Sequence, residues 1–492
     1  MRHTDGRPVQ AGEHDALALD LGSSSVRAVL GTLRDGVVTT EEIFRLGHEV
    51  TTQQDHLVWD FERIMQGVRR SLEIAEERLG HAPESVGVDT WGVDYGLLAP
   101  SGSLLRVPRA YRDARMSRVS AGLEQRLGRE AAWEATGVQP QEINTSYQLF
   151  ADLGEEPRLR EQVGLVLLLP DLVAYLLGAA PAVGRAIAST TGLATPGASA
   201  WSGTVLDALE VPRTWLPGLV DDGTVAGRTP GGTAIVRPAG HDTACAVHAL
   251  GLAPRDVRLF ISSGSWSLIG ATVPEPVMSA AARDNGLTNE VRTDGGIRLL
   301  RNLTGFWLLQ ECQRAWEEPD TGRLMEEASC APSLGVVVNP DDPAFVRPGG
   351  MPARLATWCE EQYGVRPEGR GQTVRLIIES LACAHAAYAE QLERVVGDAL
   401  DPDSPIHLMG GGARNDMLAA MTASACGRPV VVGPVEASAL GNILAQLEAT
   451  GAISSIERGD VVRASTDQRV VEPGSSAPFD SMRERLLAVT AG

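Results

Sequence analysis

The stretch Ala18-Leu19-Asp20-Leu21-Gly22-Ser23-Ser24-Ser25-Val26-Arg27-Ala28-Val29-Leu30 reads as an apolar strand, a tight Gly/Ser turn and a second strand. The same plan returns in other letters at Leu259-Phe260-Ile261-Ser262-Ser263-Gly264-Ser265-Trp266-Ser267-Leu268-Ile269-Gly270. Each turn offers backbone N–H groups and hydroxyls in a small concavity, surroundings that suit an anion. One such turn is an ordinary hairpin. Two of them, about half a chain apart, with His241-Asp242-Thr243 just ahead of the second, point to a duplicated chain that clasps a nucleotide between its halves.

At 492 residues the chain exceeds one compact core, so two domains are expected. The hydrophobic share of 43% and the charged share of 22% are those of a globular protein. A net charge of -20 argues against a nucleic-acid partner, which needs a basic surface. All 43 basic residues are arginine. Without lysine there is no Walker-type P-loop, no Schiff-base pyridoxal chemistry and no protein-kinase strand lysine. Phosphate must then be handled by backbone amides, hydroxyls, arginine and a metal. Six cysteines, with no CxxC pair, fit a reducing cytoplasm rather than a zinc site or a disulfide framework. The apolar run Val163 to Val183 is broken by Pro170-Asp171, so a strand followed by a buried helix is expected rather than a membrane span.

Along the chain, residues 1–15 read as a disordered polar leader, 16–250 as one domain and 251–492 as a second, with the break in the loop Gly251 to Asp256. Helical periodicity opens at Phe61, and Arg118 to Ala135 also reads as helical. Strands are expected over Val86 to Tyr95, Thr233 to Arg237, Ile406 to Met409 and Pro429 to Val432, with helices around Gly305 to Trp316 and over Val374 to Val396. Strands alternating with helices give an α/β class, and the repeated opening hairpin gives a two-lobed duplication.

Asp242 follows a strand and opens a small-residue helix, where α/β folds place reacting groups. It reads either as a helix cap or as the base that removes a hydroxyl proton during attack on a γ-phosphate. Asp20, at a strand end, is placed to hold a hydrated metal, while Arg27 reads either as a phosphate contact or as a solvated strand residue. Trp91-Gly92-Val93-Asp94 suits a sugar: an apolar face, a close backbone approach and an acceptor for hydroxyls. A core Trp beside a salt-bridged Tyr111-Arg112-Asp113-Ala114-Arg115 loop is the plainer alternative. Gly410-Gly411-Gly412 suits approach to a flat adenine ring, or a plain strand-to-helix turn.

Taken in order, these strings resemble the FGGY carbohydrate kinases of the actin/hexokinase/Hsp70 superfamily, from about Ala16 to about Leu447. The resemblance is carried by VDTWGVDYGLL (Val88 to Leu98), AYRDAR (Ala110 to Arg115), NTSYQL (Asn144 to Leu149), GHDTACAV (Gly240 to Val247), SSGSWSLIG (Ser262 to Gly270), RNLTGFWLLQ (Arg301 to Gln310) and GPVEASALGN (Gly433 to Asn442). DTWGVD and GPVEAS are similar to the rhamnulokinase branch of that family. The resemblance implies two actin-like, ribonuclease H-like domains around a nucleotide and substrate cleft. It implies Asp242 as proton acceptor, with Gly92, His241, Thr243 and Asn302 on the sugar. It implies Ser23, Ser24, Ser25, Val26, Arg27, Ser265, Gln310 and Gly411 on ATP. The implied reaction is MgATP plus L-rhamnulose giving the 1-phosphate and ADP, in the cytoplasm. A kinase for fuculose, ribulose or xylulose, or a non-catalytic ATP-dependent switch or sugar sensor, stays open on the residues alone.

The chain departs from the family pattern in three places. Val26 stands where the phosphate turn commonly has Gly, and would be strained there at positive φ. Ser265 stands for the usual Thr, and Pro140-Gln141-Glu142-Ile143 alters an apolar stretch beside NTSYQL.

Overall fold

The computed structural model describes residues 12–490, and the expected leader falls mostly outside them. Its last residues are not leader at all. The first strand, His14–Leu21, already includes His14 and Asp15, whose carboxylate accepts from the Glu84 backbone N–H at 2.8 Å. The chain divides into two compact units: residues 1–256, 274–299 and 437–466 make the first, and 257–273, 300–436 and 467–492 the second.

The first unit is built on a six-stranded sheet in the order Thr224–Arg228, Ala234–Arg237, Ser85–Thr90, His14–Leu21, Ser25–Arg34, Val37–Gly47. His14–Leu21 pairs antiparallel with Ser25–Arg34 on one side and parallel with Ser85–Thr90 on the other. A second parallel strand, Ala234–Arg237, and an antiparallel edge follow. In the second unit Leu259–Ser263 pairs antiparallel with Trp266–Val273 and parallel with Ile406–Met409. Val430–Val432 then adds a second parallel strand and Arg469–Val471 an antiparallel edge. The same order of pairings in both units is the duplication expected from the hairpins.

Apolar patterning decides which helix covers which face. Val26 and Gly31 are five apart on one strand and so point to opposite faces. Val26 lies against Gly67 of the helix Phe61–Leu79, where an added Cβ would come within 3.1 Å of the valine. Gly31 lies against Ile443 of the helix Ala437–Thr450, with only 2.6 Å available for an added Cβ. The run from Val163 resolves into the strand Leu165–Leu168 and the helix Leu169–Leu177, with Asp171 paired to Arg237 at 2.9 Å. Among the described residues no helix is long and apolar enough to cross a membrane. Arg118 to Ala135 is two helices, Ser120–Leu127 and Arg129–Thr136, because Gly128 at φ 77 interrupts the pattern.

A buried ionic cluster ties the three segments of the first unit together. Arg458 donates to the Leu252 carbonyl at 2.6 Å and pairs with Glu448 at 3.1 Å and Asp294 at 3.5 Å. His248 meets the same Glu448 at 2.9 Å.

Candidate active site

In the first unit the strand Ala234–Arg237 ends in a turn that delivers His241 as the N-cap and Asp242 as the first residue of the helix Asp242–His248. The Asp242 Oδ1 accepts from its neighbour Thr243 twice, from the backbone N–H at 2.5 Å and the hydroxyl at 3.1 Å. Among the described residues no donor reaches Oδ2. The side chain sits deep, yet 42% of its surface is open to solvent. Burial, and then the charge of Asp20, push its carboxyl up to about 6.

His241 is held in one state. Both terminal nitrogens of Arg298 approach its Nδ1 at 3.3 Å. A guanidinium only donates, so Nδ1 accepts and Nε2 carries the proton. Burial and the Arg298 charge keep the ring well below its usual pKa, hence neutral. Nε2 lies 3.5 Å from Asp242 Oδ1. Arg298 is fully buried and balanced by Glu290 at 2.9 Å. It gave no signal in the sequence, because a lone Arg on a strand after a turn has no motif.

Asp20 stands in register with Asp89 across the two central parallel strands. Its carboxylate accepts from Arg27 and, at 2.8 Å, from the Ser438 hydroxyl. Arg27 is therefore not a solvated strand residue. Asp89 is fully buried, accepts from Asn442 Nδ2 at 2.6 Å through Oδ2 and, among the described residues, has no partner for Oδ1. Burial, with Asp20 next, drives its pKa well up.

The first hairpin exposes Ser23 and Ser24 at its tip, closed by Gly22 N–H to the Ser25 carbonyl at 2.9 Å. His48 braces the tip from below, its Nε2 donating to the Gly22 carbonyl at 2.9 Å and its N–H to the Ser24 carbonyl at 3.0 Å. Val26 is an ordinary extended strand residue paired with Leu21, not a positive-φ one, so the strain anticipated for it is absent.

The Trp91-Gly92-Val93-Asp94 string needs a correction. The Asp94 carboxylate is no hydroxyl acceptor in waiting, since it already receives Trp59 Nε1 at 2.6 Å, Trp91 Nε1 at 2.9 Å, Gln148 Nε2 at 3.0 Å and the Tyr111 N–H at 3.3 Å. Trp91 is buried against Trp59, ring centroids 4.2 Å apart, with little face left for a ligand. The loop Tyr111 to Arg115 is the salt-bridged element of the plainer reading: Arg115 meets Asp152 at 3.0 Å and Gln148 at 2.8 Å. Gly92 lies two residues beyond Thr90, which bridges to His241 and donates its N–H to the Gly240 carbonyl at 3.0 Å.

In the second unit Ser265 donates to Gln310 Oε1 at 2.9 Å, and its carbonyl accepts from Gly305 and Trp307, each at 3.1 Å. Gly412 packs on the hairpin so closely that an added Cβ would fall 2.2 Å from Ser263 Oγ, which leaves neighbouring Gly411 exposed beside it. Ser265, Gln310 and Gly411 thus gather in one region. Asn302 lies exposed on the strand Ile297–Thr304.

Residues 16–240 match the N-terminal domain and 259–450 the C-terminal domain of the FGGY family of carbohydrate kinases. The chain belongs to that family. It is 36% identical over 446 residues to a rhamnulokinase of Pectobacterium carotovorum subsp. carotovorum, covering 89% of each chain. It is 32% identical to that of Bacteroides thetaiotaomicron, covering 94% of this chain and 97% of the other. The fold is that of the FGGY kinases of known structure. A ligand-bound xylulose kinase from Lactobacillus acidophilus superposes with TM-score 0.80 at 14% identity, over 97% of this chain and 98% of that one. Plasmodium falciparum glycerol kinase with ADP gives 0.77 at 13%, over 97% and 98%. This FGGY chain is accordingly a sugar kinase with a two-domain α/β fold.

Proposed function

We propose that this sugar kinase transfers the γ-phosphoryl group of ATP to the C1 hydroxyl of L-rhamnulose, with Asp242 as general base. The observation that carries the base is the asymmetry of its carboxylate: Oδ1 is fixed by Thr243 and lies 3.5 Å from Nε2 of a neutral His241, while Oδ2 is open. Oδ2 takes the proton of the ketose primary hydroxyl as that oxygen bonds to the γ-phosphorus. The bond from phosphorus to the bridging oxygen breaks, ADP leaves, and Asp242 returns its proton to solvent. His241 Nε2–H and the Gly92 backbone orient the sugar, and Thr243 keeps the base from turning. Asn302 is assigned to the sugar as well. Ser23, Ser24, Ser25, Val26 and Arg27, with Ser265, Gln310 and Gly411, are assigned to the nucleotide.

The residues present fit magnesium as a hydrated ion carried by the phosphates. Asp20 and Asp242 raise each other's neighbourhood in negative charge, yet no group of three His, Cys, Asp or Glu side chains among the described residues forms a cage. Asp20 would hold the ion's water shell, and the ion would supply charge neutralisation on the phosphates. Curated relatives named rhamnulokinase at 32–36% identity support the ketose chosen.

The test is ADP release with L-rhamnulose, L-fuculose, L-ribulose and D-xylulose, run beside Asp242→Asn. L-Rhamnulose is expected to give the highest kcat/KM. A higher value for another ketose overturns the substrate, and full turnover by Asp242→Asn overturns the base.

A further inference from the structure

Val93 adopts φ +70, a backbone region that β-branched residues rarely enter. With Asp94 N–H bonded to the Gly92 carbonyl at 2.9 Å, residues 92–94 form a positive-φ γ-turn. Such a turn is strained and persists only where its surroundings hold it. Here they do. The Val93 N–H donates to Thr190 Oγ1 at 3.2 Å, and its carbonyl accepts from the Thr145 hydroxyl at 2.6 Å and from Gln148 Nε2 at 3.3 Å. Thr190 donates its own hydroxyl proton to the Ile187 carbonyl at 2.9 Å, so its oxygen meets Val93 purely as an acceptor. Its side chain also fills the space at Gly92, where an added Cβ would lie 3.0 Å from Oγ1.

The strained turn has a free polar group. Among the described residues nothing accepts from the Gly92 N–H, although Gly92 is half-buried and only two residues beyond Thr90, which bridges to His241. We propose that Thr190 is a positioning residue for the acceptor sugar: its hydroxyl holds the Val93 turn so that the Gly92 N–H stays aimed at a sugar oxygen beside Asp242. This rests on the reading that Gly92 borders the sugar. The energy stored at Val93 is what makes the hydroxyl matter, since a relaxed turn would keep its shape without it.

Thr190→Val keeps the shape and removes the acceptor, while Thr190→Ser keeps the acceptor. Thr190→Val is expected to raise the KM for the ketose about tenfold, with kcat changed by less than about threefold and the KM for ATP unmoved. Thr190→Ser is expected to restore the wild-type KM. Calorimetric titration of the sugar without nucleotide reads the same shift in Kd. A wild-type Kd in Thr190→Val, or an equal rise in the ATP KM, overturns the proposal. Should Thr190→Val fail to fold, the double variant Thr190→Val with Val93→Gly decides, because a glycine turn keeps its shape without the hydroxyl; a near wild-type sugar KM is expected there, and a raised one overturns the proposal. If the wild-type enzyme phosphorylates no ketose in the panel, the substrate reading falls by itself, and the same variants are measured with whichever sugar or polyol it does phosphorylate.

Discussion

Arg298 places both terminal guanidinium nitrogens 3.3 Å from Nδ1 of His241, fixing the tautomer of a histidine 57 residues earlier in the chain. The same guanidinium is the counter-ion of Glu290. Removing one member of a buried pair typically costs about 3–5 kcal/mol, so Arg298→Met is expected to lower the melting temperature sharply. Arg298→Met with Glu290→Gln should recover much of that stability while kcat/KM stays low, because His241 is then free to take either tautomer. Thermal unfolding and ADP release, measured on both variants, check the separation. Recovery of activity together with stability would show that Arg298 serves only the fold.

Asp242 titrates at about 6, above its ordinary value, because burial and Asp20 oppose its charge. A base works in its ionised form, so kcat/KM should be level above that point and fall as pH drops through about 6. The stability consequence has the opposite sense. A raised carboxyl pKa means that the ionised form is better tolerated in the unfolded chain, and the penalty is fully present above about 6. Asp242→Asn should therefore lose about 10²–10⁴ in kcat while its melting temperature at pH 8 holds or rises. A marked fall in melting temperature would contradict this electrostatic account.

Val26 and Gly67 form a close pair in which the side chain missing from the helix makes room for the one on the strand. Gly67→Ala places a Cβ 3.1 Å from Val26 and is expected to destabilise the native protein, despite the better helix propensity of alanine. In a Val26→Gly background, which removes all three atoms nearest that Cβ, the same change should be neutral or stabilising. A double-mutant cycle in urea is expected to give a coupling of about 1 kcal/mol or more, and a coupling near zero would mean that the two sites are independent.

Gly412 and Ser263 make the corresponding contact in the second unit. Gly412→Ala would put its methyl 2.5 Å from the Ser263 Cβ, displacing the strand that carries the second hairpin. The expected result is a raised KM for ATP with the sugar KM unaffected. Ser263→Gly should restore part of the ATP affinity, and at little cost in hydrogen bonding, because the Ser263 hydroxyl is buried without a partner among the described residues. Steady-state kinetics on the single and double variants provide the check.

Much of this was legible in one dimension. Both hairpins, the strand-to-helix turn at Asp242 and the Gly410 to Gly412 turn are local objects, written in a few adjacent residues by alternation, turn chemistry and capping. The duplicated sheet followed from them. Asp94 was misread for a physical reason: an acidic residue after a strand looks the same whether its acceptors are empty or filled. Its donors come from Trp59, Trp91, Tyr111 and Gln148, up to 54 residues away.

The sequence by itself determined the fold class, the two Gly/Ser hairpins and the strand-to-helix turn at Asp242, because each is encoded by short-range pattern. Tertiary structure alone decided which buried polar groups are already satisfied and which remain open. It brought Arg298 to His241, Thr190 to Val93, Ser438 to Asp20 and Asn442 to Asp89. It also assigned residues 274–299 and 437–466 to the first unit. A buried hydrogen bond needs a partner within about 3 Å but sets no limit on how far along the chain that partner lies.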